Sequence, residues 1–222
     1  MSSNTADPDS VRRKERAARL RSPRSVKVTT TSISCRGRGN AISSGPFDTA
    51  PLDPPIGLHD HLQGVLGAPR TLVEYGDFEC PYCRAAAPVI DEVRSKLGDQ
   101  LVFAFRHFPL ADLHPFALAA AVASEAAALQ SQFWPMHALL YTGDEPRLRQ
   151  ADLREHAEVI GIDPDIVVWP ATQLVEDRVE ADFNSGVRSG VRGTPALFIG
   201  GRPYRGAVTV TGLLAALEHG SP

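Results

Sequence analysis

The apolar positions of this chain change period as they run. Thr71-Leu72-Val73-Glu74-Tyr75 is a short apolar-rich run set between Pro69 and Gly76-Asp77, which reads as a buried strand. Tyr82, Ala86, Val89, Ile90, Val93 and Leu97 then recur at helical spacing until Gly98 stops them, so a helix follows. Pro88 lies inside it and removes one backbone hydrogen bond, which predicts a kink. Leu101-Val102-Phe103-Ala104-Phe105-Arg106 is a second strand, and a strand, helix, strand unit of this length predicts a right-handed parallel crossover.

The middle of the chain reads as helix. His114 to Gln130 holds eight alanines with Leu118, Val122 and Leu129, and Pro115 suits a first turn. Further helices are expected over Phe133–Tyr141, Ala151–Ile160 and Gln173–Val187, the last with Val175, Val179, Phe183 and Val187 on one stripe. The helical block spans about residues 112–187. Strand character returns at Ala196-Leu197-Phe198-Ile199, and Gly200-Gly201 signals a hairpin into a short run through Tyr204. A closing helix is expected from Thr209 to His219, capped by Gly220. The chain has no internal repeat.

Upstream, Pro46, Pro51, Pro54 and Pro55 with Gly45 and Gly57 mark a linker, so the folded unit is expected to begin near Leu58 and run to residue 222. Residues 1–45 hold ten Lys/Arg against Asp7, Asp9 and Glu15, a formal charge of about +7 that leaves about −10 on the remainder of a chain with net charge −3. With almost no aromatics among its arginines, this arm is expected to be disordered and solvated, with no specific nucleic acid as partner. The chain is 43% hydrophobic and 22% charged, which excludes disorder throughout. No apolar stretch approaches the roughly 20 residues of a bilayer span. No apolar segment follows the basic run as a secretory signal would require, so as written the chain reads as cytoplasmic.

Cysteine placement adds the chemistry. Of three cysteines, Cys35 stands in the basic arm and Cys80 and Cys83 form Cys80-Pro81-Tyr82-Cys83 at the opening of the first helix. A thiol there faces unsatisfied backbone N–H groups and the positive end of the helix dipole, which favour its thiolate. Cys80 is the expected nucleophile, and Cys83, almost one turn on and set back, the resolving thiol. Stabilising the thiolate stabilises the reduced form, so the disulfide would be a good oxidant. Two other readings stay open. Half a zinc site is one, although no second Cys-x-x-Cys or closely spaced His pair accompanies it. A purely structural disulfide is the other, although so short a loop constrains little. Cys35 is expected to be incidental.

Taken together, Val73 to Cys83, then Arg106-His107-Phe108-Pro109-Leu110, then Val191-Arg192-Gly193-Thr194-Pro195-Ala196-Leu197-Phe198-Ile199-Gly200-Gly201 resemble the DsbA-like thiol–disulfide oxidoreductases of the thioredoxin superfamily over about residues 60–220. The resemblance implies an α/β thioredoxin fold with an inserted helical subdomain. It also implies a cis Thr194–Pro195 bond beside Cys80, whose loop pairs with an extended substrate segment. Pro81 and Tyr82 would join Thr194 and Pro195 in meeting substrate, and Glu74 would be the buried acid serving the second cysteine, unless it simply faces solvent from its strand. Protein thiols and disulfides would be the substrates of a monomer needing a separate redox partner and no cofactor or metal, outside the cytoplasm. The Pro-Tyr dipeptide matches many glutaredoxins, which leaves a glutathione-linked reductase as an alternative, and a non-catalytic redox-sensitive binding module as another. His107, Phe133 and Trp134 are expected to pack the interior, and Phe78 and Tyr82 to flank the cysteines, Phe78 as rim or core.

Overall fold

The computed structural model describes residues 50–168, 171 and 175–219. The basic arm, Cys35, the start of the Pro- and Gly-rich stretch with Gly45 and Pro46, and Gly220 lie outside them. Strands are β1 (His61–Gln63), β2 (Arg70–Gly76), β3 (Leu101–His107), β4 (Ala196–Ile199) and β5 (Arg202–Pro203); helices are α1 (Pro81–Leu97), α2 (Ala117–Ala128), α3 (Phe133–Tyr141), α4 (Gln150–Val159), α5 (Glu176–Arg188) and α6 (Val210–His219). One sheet has the order β1-β3-β2-β4-β5, with β2 parallel to β3 and the other pairings antiparallel. This is a thioredoxin fold, with α2 to α5 placed between β3 and β4.

The central strands alternate strictly, so each face has its own core. Leu72, Leu101, Phe103, Phe105, Leu197 and Ile199 meet α1, α6 and the helical block, whereas Val73, Tyr75, Ala104 and Phe198 meet Leu52, Phe108 and Phe183 on the other side. α1 runs unbroken through Pro88, burying Cys83, Ala86, Ile90 and Val93. Gly200 and Gly201 take φ of 57° and 74° between β4 and β5, the conformation a two-residue hairpin with this twist requires and glycine supplies. α2 is buried on most of its circumference. Its alanines let α3, α4 and α5 approach closely, so burial rather than a single apolar stripe stabilises it.

Three local outcomes differ from the sequence pattern. β1, three residues long, pairs His61 with Phe105 and Gln63 with Phe103, and is too short to show a period. α2 begins at Ala117 rather than His114, because the Leu113 and His114 N–H groups bond the Leu110 carbonyl and the His114 imidazole bonds Asp77, which holds residues 110–116 in turns ahead of the helix. Residues 52–56, within the Pro-rich stretch, are packed on the body of the fold. Leu52 is buried and its N–H bonds the Gly201 carbonyl.

Arg106 secures that segment. Its side chain is 2% exposed and all five donors are used: Nε and Nη2 to the Asp60 carboxylate at 2.7 and 3.0 Å, Nη1 to the Pro54 carbonyl and the Tyr75 hydroxyl, and Nη2 to the Pro55 carbonyl. A buried guanidinium is tolerated only with its charge paired and every N–H satisfied. The carbonyls that do this come from prolines, which have no N–H of their own to place in a ladder.

Candidate active site

Both cysteines are reduced in this structure. Cys80 caps α1 with extended backbone (φ −67°, ψ 122°), and Pro81 holds the first helical position. Proline has no N–H, so the first amides offered to the Cys80 sulfur are those of Tyr82 and Cys83. Both lower its pKa, but the largest cause is a hydrogen bond from the Cys83 thiol. With Thr194 adding to these effects and partial burial opposing them, the Cys80 pKa is pushed down to about 5. Cys83, fully buried one turn on, goes the other way: burial first, then the bond to Cys80 and the charges of Glu74 and Cys80, push it well above the ordinary thiol value. One sulfur of the pair thus favours its thiolate and the other its protonated thiol.

Around this pair the expected residues converge. The Cys80 thiol bonds the Thr194 carbonyl at 3.3 Å, and the Thr194–Pro195 peptide bond is cis, at the entrance to β4. Tyr82 is 73% exposed beside the cysteine. Glu74 sits at the centre of the sheet, opposite Phe105 on β3 and Leu197 on β4. It does not face solvent: it is 1% exposed, and its Oε1 has no hydrogen-bond partner. Burial, then the negative charges of Cys80 and Asp91, raise its pKa to about 8. Phe78 is core rather than rim, 1% exposed and stacked on Phe105 at 5.3 Å.

Sequence reasoning missed Asp77, Glu79, Arg84 and Tyr141 as residues around the site. Asp77, buried, accepts from the Glu79 N–H, the Leu110 N–H and His114 Nδ1 at 2.8, 2.9 and 2.7 Å, and its own N–H faces Cys83 Sγ. Glu79 accepts from the Phe116 N–H. The two acids flanking Phe78 therefore tie the loop of Leu113 and Phe116 beside Cys80. A Gly-Asp pair after a strand reads only as a turn, so nothing local announced this role. Arg84 bonds carbonyls of Phe78, Leu140, Thr142 and Gly143, joining α1 to the end of α3. The Tyr141 hydroxyl is buried without a hydrogen-bond partner, and burial, then the charges of Cys83, Glu74, Asp77 and Cys80, raise its pKa. His107 is buried as expected and bonds Glu125; Phe133 is buried, and half-buried Trp134 donates to the Leu62 carbonyl.

A family model described as Thioredoxin matches residues 58–219. Among curated proteins, the Na(+)/H(+) antiporter NhaA 1 of Mycolicibacterium gilvum is 42% identical over 175 residues, 77% of this chain and 27% of that protein. NhaA of Herminiimonas arsenicoxydans is 41% identical over 175 residues, again 77% and 27%. The chain thus spans about a quarter of the length of these curated relatives. Oxidised BdbD from Bacillus subtilis superposes with a TM-score of 0.65 at 20% identity, covering 73% of this chain and 92% of that one. For the thiol-disulfide exchange protein alpha-DsbA2 from Wolbachia pipientis the values are 0.63, 20%, 73% and 87%. For a periplasmic thioredoxin-like protein from Salmonella enterica serovar Typhimurium they are 0.62, 20%, 73% and 90%. With a cysteine pair at the start of α1, a sheet of this order and a family match over most of its length, the chain belongs to the thioredoxin family and has the fold of its DsbA-like thiol–disulfide oxidoreductases.

Proposed function

We propose that this domain catalyses thiol–disulfide exchange on protein substrates and runs as an oxidant. The observation that carries the reading is the asymmetry of the cysteine pair: Cys80 lowered to about 5 at the helix N-terminus, Cys83 buried and raised. A dithiol whose outer sulfur is a stable thiolate is a good leaving group and a reluctant reductant.

In the forward direction a substrate thiolate attacks Cys80 Sγ of the oxidised enzyme. The Cys80–Cys83 bond breaks and its electron pair goes to Cys83. Glu74, whose pKa burial raises above all, is held protonated and supplies the proton that the emerging Cys83 thiolate takes up. A second substrate thiolate attacks the substrate sulfur of the mixed disulfide, and Cys80 leaves as thiolate. The substrate has then lost two electrons, and a separate disulfide-bearing or quinone-type partner must accept them from the enzyme. The Thr194 carbonyl and the cis-proline loop offer an extended substrate segment a backbone edge. Tyr82, Leu113 and Phe116, 73%, 73% and 40% exposed, give it an apolar surface.

An extracytoplasmic compartment suits an oxidant, since cytosolic thiols are kept reduced, and one of the similar structures is described as periplasmic. The antiporter name of the curated relatives belongs to proteins of which the matched segment is about a quarter. Among the described residues no helix is long and apolar enough to cross a membrane, and ion transport is not assigned to this segment.

The test is the Cys80–Cys83 reduction potential, by equilibration with glutathione, together with turnover of a reduced model protein. A potential near −120 to −180 mV, approximately the span of known protein oxidants, with stoichiometric oxidation of the model protein, is the expected result. A potential near about −270 mV assigns a reductant, and preference for a glutathione mixed disulfide assigns the glutaredoxin type. A Cys80→Ser chain that keeps its full cellular effect assigns a binding module.

A further inference from the structure

We infer that His61, His107 and Glu125 form a binding site for one first-row divalent cation of the zinc type, seated where the helical insertion meets the sheet. The three residues come from β1, the end of β3 and α2. Both imidazoles present the same atom, Nε2, to the same carboxylate oxygen, Glu125 Oε1, at 2.8 and 2.9 Å. All three donor atoms lie within 4.8 Å of one another. The side chains of His107 and Glu125 are 1% and 6% exposed and that of His61 17%, so the cluster is buried with one edge open to water.

The arrangement is built rather than incidental. The His61 ring lies flat on Phe133, with centroids 3.4 Å apart and planes 5° from parallel, so its direction is set by packing. His107 Nδ1 is buried with no hydrogen-bond partner, which leaves Nε2 as the atom through which this ring binds anything. A carboxylate in such surroundings needs a countercharge, because an uncompensated buried charge is strongly unfavourable. Two imidazole nitrogens and one carboxylate oxygen are a donor set that zinc accepts, with water in a fourth, open position.

At metal–ligand distances of roughly 2.0–2.2 Å, Glu125 Oε1 needs to part only slightly from the two nitrogens that it now accepts from at 2.8 and 2.9 Å. β1, a three-residue edge strand, can shift with His61 and keep its ring on Phe133. On binding, each ring gives up the Nε2 hydrogen it donates to Glu125, a neutral ring by shifting it to Nδ1 and a charged ring by losing it to water, and the freed Nε2 lone pair takes the metal. The bound ion would clip β1, β3 and α2 together, a structural role separate from the cysteine chemistry, and its presence or absence does not bear on the oxidant reading.

The experiment uses the full chain carrying Cys35→Ser with the Cys80–Cys83 disulfide formed, so that no free thiol competes, and without a polyhistidine tag. Titration with Co2+ is expected to saturate at one ion per chain with visible d–d bands and no thiolate charge-transfer band, and Zn2+ is expected to raise the Tm. His61→Ala and Glu125→Gln, checked for folding by circular dichroism, should each weaken Co2+ affinity by on the order of 100-fold. Absence of saturable binding by the parent chain, or wild-type affinity in either folded variant, overturns the site.

Discussion

The Cys80 thiol reaches the Thr194 carbonyl at 3.3 Å although 114 residues separate them in the chain. That contact brings the end of β2 and the entrance of β4 together at the helix N-terminus. It also means that the nucleophile's environment is assembled from both ends of the domain, with the helical insertion threaded between them.

The lowered Cys80 pKa makes the reduced protein's stability depend on pH. The folded chain releases this proton near pH 5 and the unfolded chain near 9. The resulting stabilisation of the reduced form is absent below about 5, grows through that window and is complete above 9. The oxidised form lacks this proton. Urea denaturation of both forms at pH 4.5 and 8 should therefore show reduced minus oxidised stability rising with pH. Iodoacetamide trapping of Cys80 should follow a pKa near 5.

Glu74 predicts a trend of opposite sign in the reduced form. Its folded pKa is raised from 4.5 to about 8, so its contribution is fully present below 4.5 and is lost as pH rises through 8. Glu74→Gln should flatten this decline and be more stable than the parent at pH 8.5, by on the order of 2 kcal/mol or more. The same variant should slow release of Cys83 from the disulfide, read as slower mixed-disulfide formation in stopped-flow fluorescence with the Cys80 pKa little changed.

Asp77 is a positioning residue for the active-site loop. Asp77→Ala strands the half-buried Leu110 and Glu79 amides that it satisfies and is expected to cost about 2–3 kcal/mol in urea denaturation. Asp77→Asn retains one oxygen acceptor and should cost less. Hydrogen exchange should quicken at residues 110–116 in both variants, since the tie to His114 is weakened.

Leu52 gives a test of where the folded body starts. Leu52→Ala removes a side chain that is 6% exposed and is expected to cost about 2–3 kcal/mol. A chain beginning at residue 58 loses that side chain together with the Pro54 and Pro55 carbonyls that serve Arg106, so it should be less stable than Leu52→Ala. Comparing urea midpoints of the two chains with the parent decides this.

What the amino-acid sequence determined by itself is local. The limits of α3, the end of α1 at Gly98, the positions of β2, β3 and β4 and the Gly200-Gly201 turn all follow from contacts within a few residues, which propensity and period encode directly. The Cys80–Cys83 spacing at a helix start is of the same kind, and it carried the candidate chemistry. Tertiary structure decided whatever depends on partners distant in sequence: that Glu74 is buried, that Asp77 holds His114 and so delays α2, that Pro54 and Pro55 serve Arg106, and that His61, His107 and Glu125 share one point. A carboxylate in a strand or an imidazole before a helix has no periodic signature of its own. Its role is set by which groups long-range packing brings within about 3 Å and by how much water that packing removes.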